Sequence, residues 1–167
     1  PPDKAKRLPA DATLHFQLHY TPNGTATTDR TRIGIRYAEA PPEYEVFTHG
    51  IHNHRIVIPP NASNHEATAS RPIPTDLTLL SFMPHMHVRG KAFSYDVTLP
   101  DGESINLLQV PRYDFNWQLR YDLAEPIVLP KGSRITATGW FDNSKDNPAN
   151  PAPDKEVRWG PQTDDEM

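Results

Sequence analysis

Apolar and polar residues alternate almost from the start of the chain. In Thr13-Leu14-His15-Phe16-Gln17-Leu18-His19-Tyr20, the residues Leu14, Phe16, Leu18 and Tyr20 share one parity and His15, Gln17 and His19 the other, the period-two pattern of a half-buried strand. Thr21-Pro22-Asn23-Gly24 supplies a turn. Arg32-Ile33-Gly34-Ile35-Arg36-Tyr37 then repeats the alternation, so the two segments are expected to pair as an antiparallel hairpin. Pro41-Pro42 breaks the pattern, because successive prolines cannot donate to a central ladder, and a domain boundary is expected near residue 40. Beyond it, strand-like runs recur at 44–49, 53–58, 64–70, 77–88, 92–99, 104–110, 116–123 and 133–141. Turn residues separate them, as in Pro59-Pro60-Asn61, Pro100-Asp101-Gly102 and Pro130-Lys131-Gly132. Residues 142–154, crowded with Asn, Asp and Pro, read as a solvated loop. No stretch carries a convincing 3.6-residue period. The expected fold is all-β: an antiparallel, jelly-roll-like β-sandwich over residues 41–167, with residues 1–40 as a hairpin from a truncated neighbouring domain.

Composition agrees with this reading and narrows the function. Nineteen prolines in 167 residues make long helices improbable. No run of about 18 apolar residues exists, so no membrane span is expected. Lys and Arg total 17 against 21 acidic residues, without a basic cluster, which argues against a nucleic-acid partner. There is no Cys, so any metal must sit on His, carboxylate or Met. The opening Pro1-Pro2-Asp3 reads as a processed product or an excised fragment.

The candidate chemistry lies in eight histidines. In Met83-Pro84-His85-Met86-His87-Val88-Arg89-Gly90, His85 and His87 stand two residues apart. On a strand that spacing places both on one face with Cα atoms about 6.5–7 Å apart, able to converge on one ion, while Leu80, Phe82, Met86 and Val88 pack on the opposite side. Alone, the pair reads more readily as surface or hydrogen-bonded imidazoles than as metal ligands. His52-Asn53-His54 repeats the spacing and reads as solvated histidines or an adventitious or allosteric metal site. Asp142, Asn143, Asp146 and Asn147 lack the glycine and spaced glutamate of a calcium loop.

The order of features resembles the C-terminal domain of the copper type II, ascorbate-dependent monooxygenases, the family of peptidylglycine α-hydroxylating monooxygenase and dopamine β-monooxygenase. The resemblance rests on Ile58-Pro59-Pro60-Asn61, His85-Met86-His87-Val88-Arg89-Gly90-Lys91, Leu129-Pro130-Lys131-Gly132-Ser133-Arg134-Ile135-Thr136 and Trp159-Gly160-Pro161-Gln162-Thr163-Asp164-Asp165-Glu166-Met167. It implies that His85, His87 and Met167 bind the copper at which oxygen is activated. It also implies that His19, in Phe16-Gln17-Leu18-His19-Tyr20, is a ligand of the second, electron-supplying copper, with His15 as a decoy on the same face. The adjacent His-His pair that completes that second site in the family is absent from this chain.

Two departures from the family refine the expectation. Met83 stands where the peptide-amidating enzymes carry the Arg that grips the substrate carboxylate, and the cysteines of the animal enzymes are missing, which points to a bacterial relative. Moreover, the chain stops at Met167, where the family continues into another strand. The implied activity is hydroxylation of an unactivated C–H bond of a small organic substrate with O₂ and electrons from ascorbate or a redox partner. This chain alone is expected to be inactive, and a periplasmic or secreted location is expected. The alternatives are a non-catalytic copper-binding β-sandwich for sensing, storage or partner docking, and a metal-free adhesion or carbohydrate-binding sandwich.

Overall fold

A computed structural model describes residues 3–167, which divide into two compact units, Pro1–His49 and Gly50–Met167. The chain is all-β: among the described residues there is no helix, and none therefore that is long and apolar enough to cross a membrane.

In the first unit, strands β1 (Lys4–Ala5) and β2 (Tyr44–Glu45) make a short parallel pair. Between them, residues 6–43 enter no ladder, so the hairpin expected from residues 13–20 and 32–37 is absent. Phe16 is 56% exposed and Tyr37 74%. Alternation offers an apolar face, but an isolated two-stranded hairpin is marginal in water unless a further layer covers that face. None does so here. Local polar bonds shape the stretch instead, with Asp29 accepting from the hydroxyls of Tyr20 at 2.8 Å and Thr31 at 2.6 Å.

The second unit is sandwich-like and open, without a closed barrel. Its main antiparallel sheet has the order β4 (His65–Pro72), β9 (Arg134–Phe141), β6 (Gly90–Thr98), β7 (Ser104–Val110). A second antiparallel pair joins β5 (Leu77–Phe82) to β8 (Tyr121–Leu129), and β3 (Val57–Ile58) pairs with β10 (Val157–Arg158). Most expected strands are present, although the run at 116–123 is displaced to 121–129 and those at 44–49 and 53–58 shrink to two residues each. The three expected turns close as anticipated, with Gly102 and Gly132 at φ of +92° and +94°. Ile58, Met86, Phe93, Val97, Leu129 and Phe141 form the heart of the core, and Tyr95 stacks on Phe82 with ring centres 4.3 Å apart. Central β6 and β9 are covered on both faces, which is why Ser94 and Thr138 are buried beside the apolar residues.

Two glycines seat the segment that follows β5. A Cβ on Gly139 would lie 3.1 Å from the Met86 sulfur, and one on Gly90 would lie 2.7 Å from the Tyr113 ring. Close approach, not backbone freedom, selects glycine at both places. Met86, with no exposed surface, thus rests directly on the sheet. Met86→Ala is expected to lower stability by about 2–5 kcal/mol through the cavity it leaves. Phe16→Ala, by contrast, should change it by less than about 0.5 kcal/mol; urea denaturation of the two variants checks the contrast.

Candidate metal centre

His85 and His87 do not ride on a strand, because β5 ends at Phe82 and Pro84 has no N–H to continue a ladder. The two-residue alternation survives this correction. Phe82, Pro84 and Met86 are buried, whereas Met83 and His85 are exposed. A β-bulge between Leu79 and Ser81 sets that parity. Before it, the odd residues Leu77 and Leu79 pack on the core, so Leu80 is not the inward residue that simple alternation predicts. After it, the even residues turn inward and positions 83 and 85 turn out. A bulge exchanges the faces of everything that follows, and here it turns His85 away from the core.

The two imidazoles stand side by side, with ring centres 5.3 Å apart and planes at 87°. Nitrogens bound to one ion at about 2.0–2.1 Å place ring centres about 4.5–5.5 Å apart for ligand angles of roughly 90–120°, so the pair fits a shared metal. Each ring is also oriented from behind. His87 Nδ1 faces the carbonyl oxygen of Asp165 at 3.2 Å. His85 Nδ1 bonds to Gln118 Oε1, and that amide is fixed by its own donation to the Phe115 carbonyl at 2.7 Å. An oxygen acceptor at Nδ1 demands the Nδ1–H tautomer, which leaves the lone pair on Nε2 of both rings.

The loop at 111–120 supplies the remaining wall. The Tyr113 hydroxyl donates to the Met86 carbonyl at 2.7 Å and accepts from the Met86 N–H at 3.0 Å. Burial pushes its pKa up to about 12, so it stays a donor. Phe115 meets His87 edge-on at 6.4 Å. An open surface depression of about 500 Å³ is lined by Val88, Arg112, Tyr113, Phe115, Asn116 and Asn147 among others, and neither histidine lines it.

His87 is buried despite its parity, because the last residues of the chain cover it. The fully buried Glu166 carboxylate accepts the His87 N–H at 2.9 Å with one oxygen and the Arg89 N–H at 2.8 Å with the other. Burial pushes the Glu166 pKa up to about 7, while these N–H bonds, the Arg89 charge and the Met167 N–H pull it down. Arg89, itself buried, donates to the Asp164 carbonyl at 2.7 Å and to Asn143 Oδ1 at 2.9 Å. Asn143 donates in turn to the carbonyls of Pro59 and Lys155. Asn143 and Ser144 are therefore interior residues, so the loop at 142–154 is not simply solvated, and the Asn143 oxygen serves Arg89 and Asn150 instead of a cation.

Met167 directly follows the two residues that contact His87 and is half-buried. His19, like His15, lies on the strand-free, exposed stretch of the first unit. Among the described residues, no three His, Asp or Glu side chains gather as a metal-binding group. Sequence reasoning overlooked Tyr113, Phe115 and Gln118 because nothing local distinguishes them, and it weighed Asn143 only as an oxygen donor to a cation. Comparison with known families finds no family model that matches the chain, and comparison with curated proteins finds no match.

Glu166→Gln replaces one of two acceptors with an amide donor facing a buried N–H. The expected loss is about 1–3 kcal/mol, read by urea denaturation, together with faster amide exchange at His87 and Arg89.

Proposed function

We propose that this chain carries the oxygen-activating copper domain of a monooxygenase of the copper type II, ascorbate-dependent kind, with His85, His87 and Met167 as the metal ligands. The observation that carries the reading is the pair of imidazoles 5.3 Å apart, each with its Nδ1 facing a carbonyl or amide oxygen. Imidazole suits both copper oxidation states, whereas the Met167 thioether favours Cu(I). Copper, when bound, supplies one-electron chemistry with O₂ that no side chain of this protein can supply.

The protein's share is positional. Gln118 and the Asp165 carbonyl hold the Nδ1 protons and so present Nε2 of each ring. Tyr113 fixes the backbone between the two histidines. Phe115 shields one side of His87 from water, and the open depression beside Val88 and Tyr113 has room for a small organic substrate. The reaction converts a C–H bond to C–OH, with one oxygen atom entering the product and the other leaving as water. Two electrons and two protons come from ascorbate or another one-electron donor. A second copper, to which His19 contributes, would deliver those electrons.

The second reading is a non-catalytic copper-binding module, which needs no electron-supplying site. The coding sequence upstream of Pro1 decides between the two. A His-His pair there supports the enzyme, and its absence supports the binding module. Met167→Ile is expected to weaken Cu(I) at least about tenfold while weakening Cu(II) less, measured against a competing chelator. Equal Cu(I) affinity in wild type and variant would remove Met167 from the ligand set.

A further inference from the structure

We propose that His52 and His54 form a second metal site on this chain, one that takes Cu(II) at the protein surface. Both side chains are exposed. Their rings stack with centres 5.5 Å apart and planes at 27°, and at that spacing rotation of either exposed ring about its side-chain bonds brings a nitrogen of each toward one ion. Their ring nitrogens make no hydrogen bond among the described residues, in contrast to His85 and His87.

The pair is built into the fold. Between the two histidines, Asn53 donates from Nδ2 to the Thr68 carbonyl and accepts the Arg55 N–H on Oδ1, both at 3.0 Å, which pins the intervening backbone. The His54 ring packs edge-on against Trp159 at 4.7 Å. Trp159 is held in turn by its bridge to Glu166. The His52 ring rests over Gly50, where a Cβ would come within 1.9 Å of Nε2, so any larger residue there shifts the ring. Two imidazoles open to water, without sulfur or carboxylate, bind Cu(II) most tightly among the divalent first-row ions and offer Cu(I) no soft ligand.

The site stands independently of the copper centre at His85, so the test uses the chain carrying both His85→Ala and His87→Ala. Cu(II) is titrated while tryptophan emission and the copper electron paramagnetic resonance spectrum are followed. The expected result is one equivalent of Cu(II) with nitrogen hyperfine structure and quenched emission, because Trp159 touches a ligand ring. Adding His54→Gln should weaken uptake at least about tenfold, and so should Gly50→Ala by displacing His52. With Trp159→Phe, uptake should persist while most of the quenching disappears. Failure of the His85→Ala, His87→Ala chain to bind Cu(II), or binding indifferent to His54→Gln, overturns this proposal. Neither result touches the other centre, which is tested by Cu(I) binding to the His52→Ala, His54→Ala chain.

Discussion

The Glu166 carboxylate is the tie on which the rest of the site depends. Its two oxygens take the N–H groups of His87 and Arg89, donors that lie outside any ladder and that would otherwise be buried unpaired. An unsatisfied buried amide costs about 1–3 kcal/mol, so this one side chain offsets much of the entropy lost in ordering the last residues of the chain. Closing the segment over His87 also brings the Asp165 carbonyl to its Nδ1 and leaves Met167 next in line. The orientation of His87 and local stability are thus set by the same bonds.

Arg89 extends the tie inward. A buried guanidinium is tolerable only when its donors are satisfied, and here the Asp164 carbonyl and Asn143 Oδ1 meet that need. Burial lowers the Arg89 pKa while the carboxylates of Glu166, Asp164 and Asp165 raise it. Asn143 carries the connection onward to Pro59 and Lys155, so the loop after β9 is held to the turn after β3 by polar bonds in place of apolar contact. Such a network specifies one arrangement, because shifting any member strands several others.

The two histidine pairs show how little spacing alone decides. Both are His-x-His, and both have ring centres about 5.5 Å apart or less. In one, His87 lies beneath the end of the chain and His85 is exposed, with each Nδ1 facing an oxygen. The other lies on the surface, ordered by a tryptophan edge and a glycine. Preorganisation, which governs ligand affinity and tautomer, comes from neighbours distant in sequence.

Taken by itself, the sequence determined the all-β class, the positions of most strands in the second unit and its turns. Proline, glycine and period-two alternation act through local sterics, and these do not depend on the rest of the fold. It also singled out His85 and His87 by residue type. Tertiary structure decided everything that turns on what covers a face. The alternation at 13–20 and 32–37 made no hairpin, since no second layer receives it. The bulge after Leu79 reversed the parity of β5, because register is fixed by pairing with β8 and not by composition. Glu166, Arg89 and Asn143 became interior residues only through one another. A charged or amide side chain is solvated by default, and burial becomes affordable when its partners, here 77 and 54 positions away, arrive together.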